Sequence, residues 1–366
     1  MIRRWTINGR FLTQPLNGVQ RYAHEIVSAL DRLIADRHPL ARGLELELVA
    51  PTHAEDCALN QIALRRVGES SGQVWEQMTL PGQVGDGLLC LCNTGPLRVR
   101  KQILCIHDAN VWAFPQSYSL QYRLFHRLLV PLLARSVARV ATVSSYSASE
   151  LSRKSICAAD KITVIPCGHE HALAWVPKHS EETRQAASSN TVIVLGSPAP
   201  HKNIGMLLDL APQLAAIGFR LALVGELDSR VFQSPPDAVA KPNVAVLGRL
   251  SDSELAALLI NSLCLAFPSF VEGFGLPPLE AMVLGCPVVV SDRASLPEIC
   301  GAAALYAPPD QPEAWIDAFK QLRAEPALRF NLVAMGRERA KEFSWSSSAE
   351  AYLTEMAIAD GVIERP

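Results

Sequence analysis

Two glutamates late in the chain, Glu272 and Glu280, stand eight positions apart with Gly273-Phe274-Gly275-Leu276-Pro277-Pro278-Leu279 between them. Paired prolines suit the first turn of a helix, where a missing N–H costs nothing. Glu272 is therefore expected on a loop and Glu280 near a helix N-terminus. The backbone N–H groups of Phe274, Gly275 and Leu276 can then point outward together, and the glycines add no Cβ to block an approaching anion. Free amides at the positive end of a helix suit a diphosphate. A carboxylate on each side can take hydroxyls, one from a sugar and one from a ribose. The segment reads as a cradle for a sugar–diphosphate–nucleoside. Gly and Pro also build ordinary strand-to-helix turns, and a glutamate in a first helical turn can simply help cap it. The full string, after the apolar run Leu263–Phe267 and before Ala281-Met282, favours the ligand site.

The elements that must position these residues read as alternating strands and helices. Strands are expected at Glu45–Ala50, Leu88–Cys92, Ile103–His107, Val140–Ser144 and Ile162–Ile165. A second series runs Val192–Gly196, Arg220–Gly225, Val244–Gly248, Leu263–Phe267 and Pro287–Ser291. Continuous Val/Ile/Leu runs suit strands covered on both faces, as in parallel sheets. Val19–Leu33, Ser119–Val137, Asn203–Ile217, Ser251–Asn261 and Pro277–Leu284 read as the intervening helices. This is an α/β chain with right-handed crossovers. The alternation breaks at the polar stretch His179–Asn190, so a linker is expected between about Gly168 and Asn190. The expected domains are 1–172 with 347–366, and 173–346. Two doubly wound domains would bind ligands at the carboxyl ends of their strands, in a cleft.

With 366 residues, 49% hydrophobic and 19% charged, the chain is long enough for two cores and too apolar for disorder. A net charge of -2 gives no global field for nucleic acid. Nine cysteines, without paired Cys-x-x-Cys spacing, read as small buried hydrophobes in a reducing compartment, and the cytoplasm is the expected location. The start of the chain lacks the apolar core of a signal peptide, and no apolar run is long enough to span a bilayer. Ser119–Val140 carries Arg123, His126, Arg127, Arg135 and Arg139 among leucines, with Pro131 inside. It reads either as a basic amphipathic helix lying on the inner membrane surface, or as a kinked packing helix with a solvated basic face.

The string Pro268–Met282 resembles the signature of the retaining glycosyltransferases of family 4, which have the GT-B fold. Further blocks follow the family's order: Asn17–Tyr22, Cys105–Asp108, Thr142–Ser147, Val164–Gly168, Lys202-Asn203, Leu296–Ile299 and Phe343–Trp345. The resemblance implies two Rossmann-like domains facing a central cleft, with a last helix near Ser346–Ile358 crossing back to the N-terminal domain. It also implies roles. Glu280 holds the ribose. Gly273, Phe274, Gly275 and Leu276, with Lys202, hold the diphosphate. Glu272 and His107 hold the donor sugar, the latter through a nearby carbonyl or through the ring. Backbone around Arg249 and Leu250 holds the base, although Ser251–Glu254 after them also reads as a plain helix cap. Gly18, after an Asn17 that tolerates left-handed geometry, lets backbone approach a ligand closely. Many relatives carry a second cation beside the lysine; here Ser197 and His201 stand in the donor loop, so charge stabilisation rests on Lys202 or is shared with His201.

No Asp-x-Asp for a divalent metal is evident; the nearest string, Asp252-Ser253-Glu254, looks like a helix start. Neither cofactor nor metal is expected. The expected activity moves a hexosyl group, mannosyl by general likeness to bacterial surface-polysaccharide enzymes, from a nucleotide-diphosphate sugar to a glycan or polyprenyl-diphosphate-linked acceptor. The rivals are a sugar-nucleotide epimerase of the same fold and a binding protein with a decayed site.

Overall fold

The structure is a computed structural model and describes residues 2–197, 199–225 and 241–365. The chain divides into two compact units: Met1–Trp112 with Tyr118–Gly168 and Ser344–Pro366, and Ala113–Ser117 with His169–Phe343.

The first unit holds a sheet of seven strands: β1 (Arg3–Asn8), β2 (Leu44–Ala50), β3 (Ala63–Arg66), β4 (Gly87–Cys90), β5 (Gln102–Cys105), β6 (Arg139–Thr142) and β7 (Ile162–Val164). Their order is β3-β2-β1-β4-β5-β6-β7, and every pair is parallel. The order reverses between β1 and β4, which is where a doubly wound sheet opens a binding crevice at its carboxyl edge. The helices α1 (Gly18–Ala35), α2 (Leu120–Ser136) and α3 (Ser145–Arg153) belong to this unit, as does the C-terminal helix Trp345–Ala359. The C-terminal helix packs along α1: the Tyr22 hydroxyl lies 3.0 Å from that of Tyr352, and the Tyr22 ring meets Trp345 edge-on.

In the second unit the strands are β8 (Thr191–Leu195), β9 (Arg220–Val224), β10 (Val244–Gly248), β11 (Cys264–Phe267), β12 (Val288–Val290) and β13 (Leu305–Tyr306). They form a parallel sheet in the order β10-β9-β8-β11-β12-β13. Alternate side chains of each strand feed opposite faces. Val192, Val194, Leu221, Leu223, Cys264 and Ala266 join a core with helices α4 (Ile204–Asp209), α5 (Ala211–Ala216) and, later in the chain, Pro312–Ala324. Ile193, Ala222, Val224, Leu265, Phe267 and Val290 join the core of the other face with α6 (Asp252–Ile260), α7 (Leu276–Val283) and α8 (Leu296–Cys300).

Several expectations need correction. β1 was not anticipated, although it is the strand beside the reversal, and β3 and β13 were missed as well. The helix expected over Asn203–Ile217 breaks at Leu210, because Pro212 in the first turn of α5 offers no N–H to continue the ladder. The polar stretch read as linker contains a helix, Glu181–Ala186, capped by the Ser180 hydroxyl. Ala113–Ser117, expected with the N-terminal domain, groups with the second unit: Phe114 stacks on Phe270 at 5.6 Å, and the Ser117 hydroxyl lies 2.9 Å from His201 Nδ1. None of the nine cysteines forms a disulfide. Among the described residues no helix is long and apolar enough to cross a membrane.

Candidate active site

In the second unit β8 and β11 flank the reversal of strand order, and the loops leaving their carboxyl ends carry the candidate residues Lys202 and Glu272. The β8 loop contains exposed Ser197 and ends in a 3-10 turn, Pro200–Lys202. Lys202 therefore precedes α4, separated from it by Asn203 in the left-handed conformation (φ 54°). Its ammonium donates to both oxygens of Glu272, at 2.8 and 2.9 Å, and lies 5.6 Å above the Phe267 ring. Glu272 is 7% exposed. A second link joins the two loops, from the Phe270 N–H to the His201 carbonyl at 2.8 Å. His201 is buried, and that burial, with Lys202 next to it, pushes its ring down to about 4. It is neutral at neutral pH and does not share the cationic role.

The turn after Glu272 is held from behind. Ser295, fully buried, donates its hydroxyl to the carbonyls of Glu272 (3.0 Å) and Phe274 (2.7 Å). With these carbonyls engaged, the amides of Phe274, Gly275 and Leu276 donate to no atom among the described residues. They are the orphan donors of a helix N-terminus, since Leu276 opens α7 and both prolines follow it. Gly275 has φ 109°, and a Cβ there would lie 2.8 Å from Leu296 Cδ2, so only glycine fits without displacement. Glu280 sits in the same helix, 6% exposed, and its carboxylate meets His171 Nε2 at 2.9 Å. The carboxylates thus behave differently: Glu272 is neutralised by a lysine, Glu280 is oriented by a histidine.

Arg249 is exposed and Leu250 half-buried against the core. Ser251 caps α6 with a full capping box with Glu254, so Asp252-Ser253-Glu254 is a helix start. Among the described residues no group of three or more His, Cys, Asp or Glu side chains is placed to hold a metal ion.

His107 and Gly18 belong to the first unit. His107 follows β5, just past the strand that the sequence extended through it. Its Nε2 lies 2.8 Å from the Leu91 carbonyl, which can only accept, so Nε2 carries the proton. Its own carbonyl accepts from Ser147 at 2.9 Å. The ring's remaining polar atom is Nδ1. Burial pushes the ring down to about 4, against the smaller effect of the Leu91 bond. Tyr22 from α1 packs edge-on against it at 4.9 Å. Gly18 is exposed, and a Cβ there would meet nothing within 4 Å. Asn17 is extended and caps α1 by accepting from the Val19 N–H; it does not use the left-handed geometry.

Residues 176–339 match the family of glycosyl transferases group 1. O-antigen chain mannosyltransferase B of Escherichia coli is 29% identical over 266 residues, covering 69% of each chain. O-antigen chain mannosyltransferase RfbU of Salmonella typhimurium is 29% identical over 250 residues, covering 67% of each. The chain is a glycosyltransferase whose residues 176–339 match that family. In fold, this glycosyltransferase is similar to sucrose-phosphate synthase from Thermosynechococcus elongatus, with a TM-score of 0.72 at 19% identity over 99% of this chain and 100% of that one. The architecture is GT-B.

The stretch that matches the glycosyltransferase family contains Ser197, Lys202, Arg249, Leu250, Glu272–Leu276 and Glu280; His107 and Gly18 precede it. Sequence reasoning missed His171, Ser295, Ser117 and Phe270. Each acts through a partner distant in sequence, and none sits in a spacing that signals that partner.

Proposed function

We propose that this glycosyltransferase moves a hexosyl group, specifically mannosyl, from a nucleotide-diphosphate sugar to a glycan or polyprenyl-diphosphate-linked glycan, with retention and without a metal. The carrying observation is the convergence at one sheet reversal of Lys202, Glu272 and three undonating amides at the start of α7. In the free chain Lys202 and Glu272 neutralise each other. An arriving diphosphate competes for the ammonium and takes the amides, and Glu272 turns to sugar hydroxyls. Glu280, held by His171, takes the ribose. His107 offers Nδ1 to a sugar hydroxyl.

In the transfer the bond from the anomeric carbon to the β-phosphate oxygen breaks, and a bond to the acceptor oxygen forms on the same face. The acceptor proton passes to the departing phosphate. Negative charge grows on that phosphate as the bond stretches, and fixed donors stabilise it more than the ground state. Mannose is supported by two relatives whose names are O-antigen mannosyltransferases. Cysteines outside disulfides support a reducing cytoplasm.

The test is a panel of GDP-mannose, UDP-glucose and UDP-galactose with a lipid-linked glycan acceptor in EDTA, read by NMR of the new linkage. Mannosyl transfer with the donor's anomeric configuration kept is the expected result. Inverted product, dependence on added metal, or an epimerised nucleotide sugar formed without acceptor would overturn it.

A further inference from the structure

The loop that carries Lys202 is gripped by a segment from far earlier in the chain. Ala113–Ser117 belongs to the second unit, and its 3-10 turn, Pro115–Ser117, brings the Ser117 hydroxyl to His201. Ser117 Oγ accepts from the His201 backbone N–H at 3.2 Å and lies 2.9 Å from the ring Nδ1. One side chain thus fixes both the backbone and the ring of the residue before Lys202. Phe114 adds to the grip: it stacks on Phe270 at 5.6 Å, with the ring planes 16° apart, and meets the His201 ring edge-on at 6.3 Å. The Ser117 N–H donates to the Phe114 carbonyl at 3.1 Å, so a single turn sets both side chains.

The two residues gripped are the two that join the donor loops. The loops after β8 and β11 are linked by the Lys202–Glu272 ion pair and by the Phe270 N–H donating to the His201 carbonyl at 2.8 Å. In the reaction proposed above, an arriving diphosphate takes the ammonium and Glu272 turns to the sugar. The ion pair then no longer sets the spacing of the loops, and the His201–Phe270 bond does. A lysine stem is flexible, so where its ammonium can act depends on where its backbone is held. That backbone follows directly from His201, and His201 is held by Ser117 and Phe114.

We propose that Ser117 and Phe114 are positioning residues that set Lys202 against the β-phosphate of a nucleoside diphosphate. The inference rests on the donor reading above, and its test lets the two fail separately. Calorimetric titration of the full chain in EDTA compares GDP with GMP and UDP with UMP. The ratio of diphosphate to monophosphate affinity isolates the β-phosphate. Ser117→Ala should weaken diphosphate binding roughly two- to tenfold, as expected for one hydrogen bond, and change monophosphate binding by less than about twofold. Ser117→Thr keeps the hydroxyl and should restore the parent ratio. Phe114→Leu stays apolar but loses the stack, and should shrink the ratio in the same direction. Combined with Lys202→Ala, Ser117→Ala should add little further loss, because both act through one contact. A segment that served packing alone would weaken mono- and diphosphates alike and lower the melting temperature, and that result overturns the proposal. So does a parent ratio retained in folded Ser117→Ala and Phe114→Leu. A parent chain that bound neither GDP nor UDP would instead overturn the donor reading, and this inference with it.

Discussion

Lys202 reaches Glu272 across seventy residues of sequence, and that pairing sets the resting state of the proposed donor site. Each residue was legible by type and setting, as a cation after one strand and an acid after another. Their mutual bond was not, because a sequence assigns each to a ligand and says nothing of the ligand-free chain. The histidines show the same limit. One of two readings gave His201 a share of the cationic role, yet burial holds it neutral. His107 and His201 are both held near 4 in the folded chain, below the ordinary value of 6.5. Between those values the unfolded chain binds more protons, so stability is lost as pH falls from about 6.5 towards 4. The slope is about 1.4 kcal/mol per pH unit for each ring. Urea unfolding from pH 5 to 7.5 should show this loss, and His107→Gln with His201→Gln should flatten it. A variant that keeps the parent slope would assign the effect to other groups.

At the scale of elements, the turn from β11 into α7 depends on backbone that only glycine supplies. Gly275→Ala should destabilise the chain by about 1–3 kcal/mol through its positive φ and the contact with Leu296. Gly205→Ala is the matched control: it lies inside α4 with open space around it, and should raise stability by about 0.5–1 kcal/mol. Thermal melts that rank the two variants the other way would contradict this reading of the turn. The prolines made the start of α7 legible. The strand β1 was hidden because only Trp5 and Ile7 mark it as apolar, while Arg3 is buried by virtue of distant partners, Asp360 and the carbonyls of Leu40 and Arg42. The periodicity of α2 gave a leucine face but not whether that face meets the core or the outside.

Across the whole molecule, alternating apolar runs were enough to read two parallel α/β units, because strands covered on both faces leave a continuous signal. The borders moved by a few residues where side chains reach past them: His171 joins the second unit through Glu280, and Trp345 the first through Tyr22. Charge is segregated as well. A chain of net -2 keeps residues 109–149, which include α2, free of acids. The central claim is that the turn before α7, with Lys202, receives the diphosphate of the donor. Calorimetric titration of GDP and of UDP into the full chain in EDTA tests it most directly. Saturable binding of at least one is predicted, weakened roughly 10–100-fold in a folded Lys202→Ala variant. Absence of binding in the parent chain, or equal affinity in the variant, would contradict it.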